Sequence, residues 1–184
     1  KVVNIYYIGS FYSGRGIDLI IDIAKKLPQF KFILVGKRRE DEIYINNASK
    51  NVIIKNFIPY RKVPSEIKNA DILIMPYKLK NVLMNSKGRK TDISKFTSPI
   101  KMFEYLSTGI PIVSANLPVL KEILQNKKNC IIVKSNKIQN WTDNLQNLNK
   151  NYKLRKLISK NAILTANNNT WIKRVYKIIN SYDK

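Results

Sequence analysis

Two stretches of this chain bring together residue types suited to holding an anion. The first is Gly9-Ser10-Phe11-Tyr12-Ser13-Gly14-Arg15-Gly16, which follows a strand-like run and opens a helix-like one. Glycines let backbone N–H groups approach an anion closely, and a helix start favours negative charge. Arg15 adds a forked donor matched to phosphate oxygens. The spacing is near that of a P-loop, but the Lys and Ser/Thr positions hold Arg15 and Gly16, and Pro76 stands where a magnesium-holding carboxylate would be wanted. Leu19 occupies the third position of a dinucleotide fingerprint, so that reading is weak as well. A plain strand-to-helix turn is the bland alternative.

The second stretch runs from Thr97 to Pro111. Pro99 suits the first turn of a helix, and the N–H groups of Ser98, Ile100 and Lys101 would then form an anion nest at its start. Ile100, Phe103 and Leu106 are spaced to face the core. Glu104 lies one turn beyond Ile100 and Lys101, and a carboxylate can accept two hydrogen bonds from adjacent hydroxyls such as a ribose diol. On spacing alone, a solvated helix-face carboxylate fits Glu104 somewhat better.

Several chemistries are excluded or disfavoured. There is no histidine, which removes Ser-His-Asp and Cys-His catalysis and His-ligated metal. Cys130, the only cysteine, stands in the apolar run Cys130-Ile131-Ile132-Val133 and reads as a small buried hydrophobe. No Asp-x-Asp occurs, and Glu40-Asp41-Glu42 reads as a solvated helix start, so no metal is expected. The net charge of +22 would attract nucleic acid, anionic lipid or phosphorylated ligands. The lysines are spread along the whole chain, however, so charge alone does not select a partner. No apolar run approaches the roughly 20 residues of a membrane-spanning helix. The chain opens directly into strand-like residues, Val2 to Ile8, without a leader pattern. Together these features point to the cytoplasm.

The elements that would position the two stretches alternate along 184 residues. Strands are expected at 4–8, 31–35, 52–54, 71–75, 110–114 and 130–133. Helices are expected at 16–27, 64–69, 100–107 and 118–125, with two or three more over 137–182. Tyr77 to Thr97 is polar and aperiodic and reads as a long loop. Such alternation implies a doubly wound, Rossmann-like α/β fold: a parallel sheet of about six strands with helices on both faces, and a ligand site outside the strands' carboxyl ends.

Ser98-Pro99-Ile100-Lys101-Met102-Phe103-Glu104-Tyr105-Leu106-Ser107-Thr108-Gly109-Ile110-Pro111 closely resembles the signature of group 1, family-4-type retaining glycosyltransferases of the GT-B fold. The order of Tyr7-Ile8-Gly9, Arg15-Gly16-Ile17-Asp18, Phe32 to Gly36, Asn56 to Tyr60, Asn69 to Tyr77 and Leu117-Pro118 follows the same family, over nearly the whole chain. The resemblance implies the C-terminal, donor-binding half of a two-domain enzyme whose acceptor-binding half would precede Lys1, and isolated residues 1–184 are expected to be inactive. It implies a nucleotide diphosphate sugar as donor and retention at the anomeric carbon. The diphosphate would lie among Gly9, Ser10, Arg15, Ser98, Pro99, Ile100 and Lys101, with Arg15 and Lys101 as the catalytic cations. Glu104 would hold the ribose, and the base would lie near Gly36, Lys37, Phe57 and Ile58. The terminal helices from Trp171 to Tyr182 would reach back to the other half, and the basic surface would suit peripheral contact with an anionic membrane or a lipid-linked acceptor.

The sequence departs from the family pattern at two positions. Ser10 replaces a common arginine, so that one donor to the phosphates is missing or is replaced by Lys37, Lys95 or Lys101. Phe96 replaces the first of two glutamates spaced eight residues apart, as in a subgroup with Ser-Pro-x-Lys-x-Phe-Glu-Tyr. A basic nucleic-acid-binding α/β module and a non-catalytic scaffold are the competing readings.

Overall fold

The computed structural model describes residues 2–11, 14–78, 83–86, 89–92, 100–135 and 137–182. Six strands form one parallel sheet: β1 (Val3–Ile8), β2 (Phe30–Lys37), β3 (Val52–Asn56), β4 (Ile72–Met75), β7 (Ile112–Ala115) and β8 (Ile131–Val133). Their spatial order is β3-β2-β1-β4-β7-β8. Ile5 of β1 lies opposite Phe32 of β2 on one side and Ile72 of β4 on the other. Chain order reverses between β1 and β4, and in an open α/β sheet that switch point is where a crevice opens at the carboxyl ends. Every residue of Ile5–Ile8 and Ile72–Met75 is buried, as expected for central strands covered on both faces. That two-sided cover is why these strands read as continuous apolar runs.

The helices are α1 (Ile17–Lys26), α2 (Ile43–Asn46), α3 (Val63–Ile67), α4 (Ile100–Thr108), α5 (Pro118–Lys121), α6 (Ile138–Lys150), α7 (Tyr152–Asn168) and α8 (Trp171–Tyr182). α1 buries Ile17, Ile20, Ile21, Ile23 and Ala24 and packs against α6. α4 packs against α7, where a side chain on Gly109 (φ +68°) would run into Ile163. Trp141 of α6 is fully buried, and its indole N–H donates to the Ser135 carbonyl. No described helix is long and apolar enough to cross a membrane.

Four expectations need correction. The stretch expected as loop, 77–97, contains an antiparallel pair, β5 (Leu83–Ser86) and β6 (Arg89–Asp92). These strands are short and mostly polar, so they have no alternating apolar face for periodicity to register. The helix expected over 118–125 ends at Lys121, and the Asn129 side chain then holds the turn by accepting from the Gln125 N–H and donating to the Ile123 carbonyl. On α4, the core face is Met102, Tyr105 and Leu106, whereas Ile100 is exposed and Phe103 only half-buried. Of the acidic cluster at 40–42, Asp41 is buried in a 3-10 turn and accepts from the Arg38 N–H.

Candidate functional site

The carboxyl ends of β1, β2 and β3 and the inner face of α4 enclose a cleft of about 280 Å³. Seven of the residues singled out from the sequence line it: Gly9, Ser10, Gly36, Phe57, Ile58, Lys101 and Glu104. Ser98 and Pro99, and with them Lys95 and Phe96, lie outside the described residues.

Backbone geometry makes the floor of the cleft. The Gly9 N–H donates to the Val35 carbonyl at 2.9 Å, so the ends of β1 and β2 are pinned together. Gly36 has φ +130°, and a Cβ there would sit 2.2 Å from the Gly9 carbonyl oxygen. Only glycine allows this approach, and it leaves the floor without side chains. Gly16 plays a separate part: with φ +76° it turns the first loop into α1, and a Cβ on it would lie 1.9 Å from the Pro76 carbonyl oxygen. The Lys78 N–H donates to the Gly14 carbonyl at 3.0 Å, and Lys78 pairs with Asp18 at 2.7 Å. The loop after β1 and the exit of β4 are thus packed as one unit at the switch point.

Two cations meet at that unit. The Lys101 ammonium reaches from the first turn of α4 to 3.9 Å from the Tyr7 ring centroid and 5.5 Å from that of Tyr77. The Arg15 guanidinium lies 5.1 Å from the Tyr77 ring centroid. Lys101 Nζ stands against Gly9, 2.8 Å from where a Cβ on that glycine would be. Its stem is partly exposed, but the nitrogen is enclosed and has no hydrogen-bond partner among the described residues. Burial and then the Arg15 charge hold the Lys101 ammonium well below the usual lysine value, and Glu104 pulls weakly the other way.

Around this pair the tyrosines fix the frame. The Tyr7 hydroxyl donates to the Ser10 carbonyl at 2.8 Å. The Tyr105 hydroxyl accepts from the Ile8 N–H at 2.9 Å, tying α4 to the end of β1, and burial pushes its phenol far above the ordinary tyrosine value. Glu104, beside Tyr105, turns its half-buried carboxylate to the cleft. Tyr60 is exposed at the mouth, and its phenol is raised by the Glu104 carboxylate, first as hydrogen-bond acceptor and then by its charge.

The remaining sequence candidates divide. Arg15 joins the group through Tyr77. Ile100 is exposed at the start of α4. The Lys37 ammonium is engaged by Glu42 at 2.5 Å, while its carbonyl accepts from the Phe57 N–H at 2.9 Å, so Lys37 offers backbone rather than charge. Phe57 is exposed at the rim, with the Arg38 guanidinium 6.0 Å from its ring centroid. Sequence reasoning passed over Tyr7, Tyr60, Tyr77 and Tyr105. Tyr7 and Tyr77 do carry a signal, because each sits at the carboxyl end of a strand flanking the switch point.

A larger hollow of about 500 Å³ lies at the opposite end of the sheet, lined by Val3, Asp71, Ile72, Tyr152 and Arg155 among others. Two of its polar groups are engaged within the fold: Asp71 accepts from the Asn4 N–H, and Arg155 donates to carbonyls in the last turn of α6. Cys130 is fully buried and its thiol is pushed up to about 12 by burial, as suits a packing residue.

Comparison with known proteins places this cleft in context. Residues 2–165 match the family described as "Glycosyl transferases group 1". The chain is 25% identical over 160 residues to an "Uncharacterized glycosyltransferase" of Haemophilus influenzae, covering 82% of this chain and 40% of that protein. Its fold is similar to that of HepE from Anabaena, solved in complex with UDP and glucose, with TM-score 0.75, 15% identity, and coverage of 98% of this chain and 48% of that one. It is also similar to the C-terminal domain of LpcC, a group 1 family protein from Francisella tularensis, with TM-score 0.67, 18% identity, and coverage of 90% and 84%. The chain therefore spans less than half the length of the Haemophilus protein and of HepE.

Proposed function

The chain belongs to the group 1 glycosyl transferases, and from that premise we propose that it is the donor-binding half of a retaining glycosyltransferase that uses a nucleotide diphosphate sugar. The diphosphate lies between the Gly9 floor and the start of α4, within reach of Arg15 and Lys101. Gly9, Ser10, Ile100 and, in sequence, Ser98 and Pro99 supply the backbone around it. Glu104 accepts the two ribose hydroxyls. The base lies toward Gly36, Lys37, Phe57 and Ile58 and is read through backbone groups, since the Lys37 charge is already taken by Glu42.

The observation that carries this reading is the enclosed Lys101 nitrogen against Gly9, without a hydrogen-bond partner among the described residues and sharing one cleft with Glu104. A buried cation left unpaired costs free energy, and an anion in the cleft would relieve that cost. The cleft also opens at the strands' carboxyl ends beside the switch point, where such sheets bind ligands, and the similar HepE fold was solved in complex with UDP and glucose.

In the transfer step, the sugar's anomeric bond to the diphosphate breaks and negative charge collects on the leaving oxygens. Arg15 and Lys101 stabilise that charge, and the donor is oriented by Glu104 through its ribose. The acceptor is presented by the other half of the enzyme, which meets this chain across the cleft and along α8. That helix carries exposed Trp171, Ile172, Val175, Tyr176, Ile178 and Ile179, a face suited to a protein surface. The reading places the enzyme in the cytoplasm, and the +22 charge suits peripheral contact with an anionic membrane carrying a lipid-linked acceptor. No metal has a part in this scheme.

A thermal-shift panel of UDP, GDP, ADP and their sugar conjugates tests the reading. A ligand at 100 times its dissociation constant stabilises by about 2.7 kcal/mol, an easily measured rise in Tm. One diphosphate series should stand above the others. No shift with any member would overturn the proposal.

A further inference from the structure

We propose that the donor diphosphate binds this cleft together with a proton, taken up from solvent by the Lys101 amine. The inference rests on the donor-binding reading above and deepens it. Lys101 Nζ is enclosed and has no hydrogen-bond partner among the described residues. It lies 3.9 Å from one tyrosine ring centroid and 5.5 Å from another. The second of those rings is shared with the Arg15 guanidinium, 5.1 Å from its centroid. Ring faces attract a cation but replace only part of the solvation it loses.

The charged and titratable groups about Lys101 come from four elements. Tyr7 faces it from β1, Arg15 from the loop after β1, Tyr77 from the exit of β4, and Glu104 from one turn along α4. Arg15 is permanently charged and raises the cost of a second cation beside it. Glu104 is the one carboxylate among them; its favourable pull is smaller than the combined effect of burial and Arg15. The empty cleft therefore shifts Lys101 toward the neutral amine, while the structure keeps the nitrogen where an anion would arrive.

A diphosphate reverses this balance. Its oxygens lie against the nitrogen and accept from it, which favours the ammonium. A proton leaves buffer or water, a new N–H bond forms on Nζ, and the charged amine then pairs with the phosphates. The same event answers the departure at Ser10. Of the three lysines that could replace the missing first-loop arginine, Lys37 is held by Glu42 and Lys95 lies outside the described residues. Lys101 stands directly against Gly9, beside position 10. The cation is thus delivered from α4 instead of from the first loop, and it is charged on demand.

Isothermal titration of the 184-residue chain with UDP, in several buffers of different ionisation enthalpy, reads the linkage directly. The work is done about two units above the second phosphate pKa of ~6, so that the nucleotide itself contributes little. The expected slope is a net uptake of protons on UDP binding. Lys101→Arg, which keeps a charge that cannot be lost, should bind UDP with no uptake. Lys101→Met should lose the uptake and bind at least about tenfold more weakly. Binding by the wild type with no buffer dependence, or uptake that persists in Lys101→Arg, overturns the inference while leaving donor binding intact. No UDP binding at any concentration tried, with GDP and ADP also silent, overturns the donor-binding reading and this inference with it.

Discussion

Arg15 and Lys101 approach the same ring, Tyr77, from different elements, whereas the Lys37 ammonium is engaged by Glu42. In the ligand-free cleft the Arg15 charge disfavours charging of the Lys101 amine, and in the proposed complex both groups act on one diphosphate. Removing one donor aimed at leaving-group charge typically costs about 2.7–4 kcal/mol of barrier. Arg15→Ala in the complete two-domain enzyme should therefore lower kcat by about 100- to 1000-fold at saturating donor, and near-normal turnover would remove Arg15 from the mechanism. Lys101 makes a prediction of opposite sign for stability. Its folded pKa lies below the unfolded value of about 10.4. Between those two values the unfolded chain binds more protons, so the penalty is complete below the folded pKa and fades as pH rises toward the unfolded one. Lys101→Met should thus stabilise the ligand-free chain at neutral pH by about 1–3 kcal/mol, or roughly 2–4 °C in Tm for each kcal/mol, and the gain should shrink in alkaline buffer. A melting scan of both proteins across pH checks this; a lower Tm for the variant at neutral pH would contradict it.

At the scale of elements, the site depends on how tightly the loop after β1 is seated on the exit of β4. Gly16→Ala places a methyl where the Pro76 carbonyl oxygen now stands and forces an alanine to φ +76°. The strain alone is worth about 1–3 kcal/mol, so the urea midpoint should fall clearly, and nucleotide binding should weaken as Arg15 moves. An unchanged midpoint would show that the two loops are not packed in this way. Much of this frame was legible in the sequence. The buried strands β1, β2 and β4 announce themselves as apolar runs, and Gly16 and Gly109 mark turns that the backbone does make, whereas β2 continues through Gly36 to Lys37. Other features were hidden for physical reasons. The β5–β6 pair has no apolar alternation. The core face of α4 is set by where α7 and the sheet lie, so Ile100 and Phe103 were assigned inward when Met102 and Tyr105 are the buried residues. The isolation of Lys101 Nζ arises where α4 meets β1, the loop after it and the exit of β4, and spacing within a single helix cannot reveal it.

The described residues form a six-stranded sheet with a cleft at its carboxyl ends, a two-stranded pair, and a helix α8 whose apolar residues are exposed. α8 exposes Trp171 and Ile172 by about 70% each, yet the family match ends at residue 165. If α8 meets the other half of the enzyme, Ile172→Ser with Ile179→Ser should change the stability of the 184-residue chain by no more than about 0.5 kcal/mol. The same pair should markedly reduce sugar transfer by the complete enzyme, and transfer at the unaltered rate would exclude that contact. On the two-domain proposal, the isolated chain should bind nucleotide but transfer no sugar. Efficient transfer by the 184 residues, assayed with radiolabelled donor, would show the division of labour to be mistaken.

A crystal structure of the chain grown with UDP tests the central claim most directly. The account predicts diphosphate oxygens within hydrogen-bond distance of Lys101 Nζ and the Gly9–Ser10 backbone, with the ribose hydroxyls on the Glu104 carboxylate. UDP seated elsewhere, for instance in the hollow beside Tyr152 and Arg155 at the far end of the sheet, with the Lys101 cleft left open, would contradict it.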